Sequence, residues 1–213
     1  MDVRMFTVGP VGENCFLLRR DGAEEALIVD PGEEAPRLLA AIDELGVKLA
    51  GILLTHTHFD HVGAVAPVAK ATGAEVWVPE IERPVLADIN SFVPFEGFGP
   101  FESYEAEHTL AGGERLELAG FEIEVVFTPG HSPGHMTFSI PAEAAVFSGD
   151  VLFQGSVGRT DLPGGDWPTL LESIRTLTES LPAETVVYPG HMGITSLGAE
   201  RASNPFLAEL ART

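Results

Sequence analysis

Four short apolar runs in this chain each end on a tight turn that presents an imidazole or a carboxylate. Gly51 to Leu54 runs into Thr55-His56-Thr57-His58-Phe59-Asp60-His61. Phe127-Thr128-Pro129-Gly130-His131, Phe147-Ser148-Gly149-Asp150 and Tyr188-Pro189-Gly190-His191 repeat the plan with one donor each. Apolar strand, small turn residues, then a donor: repeated in this way, the pattern converges side chains on one sheet edge. A lone histidine is usually structural, but three histidines and an aspartate crowded at one strand end would interact unfavourably without a common partner. A metal resolves the crowding. Imidazole with carboxylate suits zinc, iron or manganese, and is too rich in nitrogen for calcium or magnesium.

The rest of the chain supplies the frame. Val3 to Val8, Cys15 to Arg19 and Ala26 to Asp30 read as strands, with Asp21-Gly22 as a hairpin turn. Ala35, Leu38, Leu39, Ile42 and Leu45 follow helical spacing between Pro36 and Gly46. Gly63 to Thr72 reads as a helix and Ala74 to Val78 as a strand. Residues 88 to 107 place Phe92, Phe95, Phe98 and Phe101 among glycines and prolines, which suits a covering loop. The second half predicts strands at Glu114 to Leu118, Phe121 to Phe127, Met136 to Ile140, Ala145 to Phe147 and Thr185 to Tyr188. It also predicts a helix capped by Asp166, with Leu170, Leu171, Ile174 and Leu177 inward, and a last short helix at Asn204-Pro205. Both halves, about 1–107 and 108–213, contain strands followed by helices. The expected fold is one α/β (α+β) domain of two mixed β-sheets packed face to face, with helices on the outer faces.

Composition narrows the partners. The chain has 213 residues, 45% of them hydrophobic, enough for one self-sufficient core. Acidic residues outnumber basic ones by 32 to 12, and the formal charge of −20 repels phosphate backbones, which disfavours nucleic acid. The single cysteine, Cys15, excludes an internal disulfide and fits a reducing compartment. With no apolar run of membrane-spanning length and no signal-type N-terminus, a cytoplasmic location is expected.

At this level the chain resembles the metallo-β-lactamase-fold hydrolases, in particular the branch close to glyoxalase II (hydroxyacylglutathione hydrolase). The resemblance rests on Glu13-Asn14-Cys15, Val29-Asp30-Pro31-Gly32, the His-x-His-x-Asp-His run, Gly149-Asp150 and Asn204-Pro205-Phe206, which together span nearly the whole sequence. It implies an αββα sandwich holding two divalent metal ions, zinc foremost, with iron or manganese as alternatives. On this resemblance His56, His58 and His131 bind the first metal, Asp60, His61 and His191 the second, and Asp150 bridges them. It further implies a thioesterase in which a metal-bridging hydroxide attacks a thioester carbonyl, a thiolate leaves, and Asp60 doubles as a proton acceptor. The expected partner is a small acyl-thiol, with no nucleic acid or membrane, on a monomer or small homo-oligomer.

Several residues carry two readings. Arg159, in Gly158-Arg159-Thr160-Asp161, is either a fork for a substrate carboxylate or a partner of Asp161 that shapes the loop. Glyoxalase II has a lysine and a tyrosine there, and a C-terminal helical extension for which this chain is too short, so the glutathione contacts differ. His135 is expected to support the site without ligating, His108 to lie on the surface, and Cys15 to be a small core residue. The four loop phenylalanines either line an acyl pocket or pack among themselves. The missing metal-ligand cysteine of many true β-lactamases argues against antibiotic hydrolysis. The alternative activity is a mononuclear-iron persulfide dioxygenase, which shares the Gly-Arg-Thr-Asp run; a non-catalytic metal-binding protein on the same fold stands behind it.

Overall fold

The computed structural model describes residues 1–207. They form two compact units, Met1–Ala111 with Glu117–Phe121, and Gly112–Leu116 with Glu122 onward.

The first unit contains β1 (Asp2–Val8), β2 (Glu13–Arg19), β3 (Glu25–Val29), α1 (Ala35–Leu45), β4 (Lys48–Leu53), α2 (Phe59–Val62), α3 (Val65–Thr72), β5 (Val76–Pro79), α4 (Arg83–Ala87) and β6 (His108–Leu110). Its six strands form one mixed sheet in sequence order. The first three are antiparallel, with Asp21-Gly22 at the β2–β3 turn, where Gly22 takes the left-handed φ of 74°. From β3 to β6 the strands run parallel. Parallel neighbours end at the same edge, so the residues after β3, β4 and β5 emerge side by side. Leu38, Ile42, Ile52, Leu54, Val65, Val68 and Leu86 belong to one buried core that fixes this sheet against its helices.

The second unit contains β7 (Arg115–Leu118), β8 (Phe121–Phe127), β9 (Met136–Ile140), β10 (Ala145–Gly149), β11 (Leu152–Phe153), β12 (Ser156–Val157), α5 (Trp167–Ser180), β13 (Val186–Pro189), β14 (Thr195–Ser196) and α6 (Leu197–Ser203). Its main sheet has the order β14-β13-β10-β9-β8-β7, with β11–β12 as a separate ribbon. Because β9 is antiparallel to both β8 and β10, and β13 is parallel to β10, strands β8, β10 and β13 share a direction and a common C-terminal edge. Asp166 caps α5 by accepting from Thr169 N at 2.9 Å, and Leu170, Ile174 and Leu177 face the core.

The structure departs from the sequence expectations in identifiable places. The helix expected from Gly63 is preceded by a separate turn, α2, and the two are divided at Ala64, whose N–H bonds Pro31 O at 3.0 Å instead of continuing the ladder. Strands β6 and β14 and helices α4 and α6 are short, two to seven residues, too brief for their periodicity to be read. The loop before β6 is pinned by Asn90, whose side chain donates to Phe101 O and accepts from Phe101 N, both at 2.8 Å. Phe98 and Phe101 pack on the first core and on Phe59, while Phe92 (54%) and Phe95 (44%) remain exposed. Asn204 ends α6 and accepts from Phe206 N at 3.0 Å; of the helix expected to start at Asn204-Pro205, the part after Leu207 lies outside the described residues. Among the described residues no helix is long and apolar enough to cross a membrane.

Candidate metal centre

In the first unit the donors follow β4. His56 and His61 are fully buried, His58 partly, and the His56 ring lies 4.7 Å from that of His58 and 4.1 Å from that of His61. Asp60 and His61 occupy the single turn α2, where the Asp60 carboxylate approaches His61 Nε2 at 3.9 Å.

Asp30 organises this cluster from the end of β3. Its Oδ1 accepts from Thr55 N at 2.7 Å, and its Oδ2 accepts from Thr55 Oγ1 at 2.6 Å and from His61 Nδ1 at 3.0 Å. Thr55 has one hydroxyl proton and gives it to Asp30, so at 3.0 Å His56 Nδ1 must donate to Thr55 Oγ1. One carboxylate thereby puts the proton of both rings on Nδ1 and the lone pair on Nε2. Asp30, His56 and His61 bring ligand-type atoms within 4.8 Å of one another, yet with its oxygens engaged by three N–H and O–H donors Asp30 orients ligands instead of being one.

The second unit repeats the logic. His131, Asp150 and His191 follow β8, β10 and β13 at their shared edge. Asp150 Oδ2 lies 3.4 Å from His131 Nε2 and 3.6 Å from His191 Nε2. His131 Nδ1 donates to the Arg159 carbonyl at 2.7 Å, again placing the lone pair on Nε2.

His135 has the opposite arrangement. Its Nε2 accepts from Asp150 N at 3.0 Å, so its proton is on Nδ1 and goes to Thr128 Oγ1 at 3.0 Å, which in turn meets Thr137 Oγ1 at 2.9 Å. Its lone pair is spent on the backbone of Asp150, and it fixes where that aspartate sits. His108 lies on β6, stacked on Trp77 and bonded to Glu75 at 2.7 Å, away from any such cluster. Cys15 is buried, and burial first, then the charges of Glu13 and Asp30, push its thiol well above the ordinary range, so it is not a nucleophile at neutral pH.

The donor set fits a metal. Neutral imidazoles with Nδ1 tied to an oxygen acceptor and Nε2 presented beside carboxylates are the pattern metal-ligating histidines show.

The sequence profile of the metallo-β-lactamase superfamily matches residues 8–191. The chain belongs to this superfamily. It has the metallo-β-lactamase fold, mixed α/β with two mixed sheets, and is a metallo-hydrolase of that fold. It is 39% identical over 220 residues to hydroxyacylglutathione hydrolase GloC of Haemophilus influenzae, covering 97% of this chain and 98% of that protein. Among solved structures, the BLEG-1 B3 metallo-β-lactamase superposes with a TM-score of 0.91 at 40% identity, covering 97% of this chain and 99% of that one. TTHA1623 in a di-iron-bound form gives 0.79 at 42% identity, covering 96% and 100%.

Arg159 illustrates what a motif conceals. Its carbonyl holds His131, while its guanidinium makes a bidentate pair with Asp161 at 2.6 and 2.7 Å. The pair is exposed, and the Arg159 hydrogen bond holds the Asp161 carboxyl down at about 2 from an ordinary 3.8. A depressed acid keeps its partner above its ordinary value and loses it as pH falls through the depressed one, so the pair persists throughout the working range. NMR titration of Asp161 should show a midpoint near 2 that returns towards 3.8 in Arg159→Gln. A wild-type midpoint already at the ordinary value would mean the pair does not persist in solution.

Proposed function

We propose that this protein is a thioesterase acting on a small acyl-thiol, similar to hydroxyacylglutathione hydrolase. In this reading His56, His58 and His131 hold one divalent ion, Asp60, His61 and His191 a second, and Asp150 bridges both. The observation that carries it is the set of tautomers: His56, His61 and His131 each have Nδ1 tied to an oxygen and Nε2 presented beside the carboxylates of Asp60 or Asp150 or beside a neighbouring imidazole. The relative described as hydroxyacylglutathione hydrolase, matched along almost its whole length, supports the substrate class. Zinc is the first expectation, and the relative in a di-iron-bound form makes iron the alternative.

When bound, such ions supply Lewis-acid chemistry: water activation near neutral pH and stabilisation of charge developing on a carbonyl oxygen. The chain's own residues prepare for it. Asp30 and the Arg159 carbonyl fix ring orientation and His135 fixes the Asp150 backbone, while in this reading Asp60 doubles as a proton acceptor. Arg159 would contact substrate only on leaving Asp161. The lone buried cysteine fits a reducing, cytoplasmic setting.

A second reading, β-lactam hydrolysis, is favoured by one observation: a B3 metallo-β-lactamase is 40% identical over 97% of this chain.

Metal content should be measured beside turnover of S-lactoylglutathione and a chromogenic cephalosporin, before and after chelation. Close to two ions per chain is expected, with thioester turnover falling at least about 10³-fold on chelation and returning on reconstitution. Turnover of the cephalosporin alone would favour the second reading. One iron per chain, with oxygen uptake on a thiol persulfide, would replace both by a dioxygenase.

A further inference from the structure

The His56-Thr57-His58 segment owes its shape to a residue that no part of the ligand motif contains. The rings of His56 and His58 lie together, with centroids 4.7 Å apart, so the side chain between them is directed elsewhere. That side chain, Thr57, is buried, and it meets Glu82, which is only 4% exposed. A single carboxylate oxygen of Glu82 accepts from Thr57 N at 2.6 Å and from Thr57 Oγ1 at 3.0 Å. The first bond fixes the peptide joining His56 to Thr57, and the second fixes the rotamer of Thr57. Glu82 reaches this point because it leaves β5 through one short turn, and β5 runs parallel beside β4.

We propose that Glu82 is a positioning residue that holds His56 and His58 in ligating orientation through Thr57. The inference rests on the metal-binding reading above and is independent of the substrate.

Four variants test this role. Glu82→Ala removes both hydrogen bonds and the charge. Glu82→Gln keeps an oxygen that can accept from Thr57 but removes the charge. Thr57→Val removes only the hydroxyl donor, and Thr57→Ser restores it. Zinc affinity is measured by chelator competition, and the ligand field by the visible spectrum of the cobalt-substituted protein. Glu82→Ala is expected to weaken zinc binding about 10- to 100-fold and to shift the cobalt bands, with Glu82→Gln intermediate. Thr57→Val should weaken binding several-fold, and Thr57→Ser should recover wild-type affinity and spectrum. Folded Glu82→Ala and Thr57→Val proteins with wild-type affinity and unchanged spectra would overturn the proposal. Should Glu82→Ala fail to fold, Thr57→Val decides: weakened, serine-rescued binding supports the role, and wild-type binding overturns it. Failure of the wild-type chain to bind zinc or cobalt would instead remove the metal reading itself.

Discussion

Asp150→Asn is expected to lower kcat/KM for the thioester by at least about 10³-fold, or about 4 kcal/mol of transition-state stabilisation, while leaving the fold intact. The substitution keeps size and shape, and the backbone N–H that donates to His135 at 3.0 Å is untouched. What changes is the oxygen set facing His131 Nε2 and His191 Nε2 at 3.4 and 3.6 Å. Asparagine presents one neutral oxygen where aspartate presents two that share a charge. The proposed bridge is thereby lost, and metal content should fall from two ions towards one. Far-ultraviolet circular dichroism and the apo-protein melting temperature check the fold, elemental analysis checks the ions. A variant that retained both ions and more than a tenth of the activity would remove Asp150 from the bridging role.

Gly32→Ala and Gly158→Ala should each destabilise the protein by more than about 3 kcal/mol, lowering Tm by roughly 6–12 °C in a chain of this size. The reason is the same in both units. A Cβ on Gly32 would fall 1.8 Å from Asp60 O and 2.5 Å from Glu13 Oε2, and one on Gly158 would fall 1.9 Å from Asp150 O. In each case the obstacle is the carbonyl of a proposed ligand residue, which cannot rotate away as a side chain can. Relief requires moving the turn that carries the donor, so metal affinity should fall with stability. Gly22→Ala is the control: its φ of 74° is unfavourable for alanine, but nothing lies within 4 Å of the added atom. It should cost only about 1 kcal/mol and leave metal content unchanged. Equal melting temperatures for all three variants would show that close backbone approach is not what these motif glycines provide.

Asp30-Pro31-Gly32 and Gly158-Arg159 were readable as motifs, but their purpose was not. The strand-turn-donor plan picked out His56, His58, Asp60, His61, His131, Asp150 and His191 as donors because each follows a short local apolar run that the sequence displays directly. Longer elements such as α5 were legible for the same reason, down to the Asp166 cap. Glu82 was invisible, because an acidic residue after a short strand has no pattern of its own. The use of Arg159 was half-seen: attention to its side chain missed the carbonyl that holds His131.

By itself, then, the sequence determined the chemistry on offer: seven nitrogen and carboxylate donors, each delivered at the end of a strand, in the pattern of one superfamily. Tertiary structure alone decided which nitrogen of the His56, His61 and His131 rings is presented. Asp30 and Thr55 are 25 positions apart, His131 and Arg159 are 28, and Glu82 and Thr57 are 25. The physical reason is that a histidine's tautomer is set by its hydrogen-bond partner: Asp30, Thr55, Thr57 and Glu82 meet because parallel β3, β4 and β5 bring their C-terminal ends to one edge, and Arg159 reaches His131 from the loop after β12.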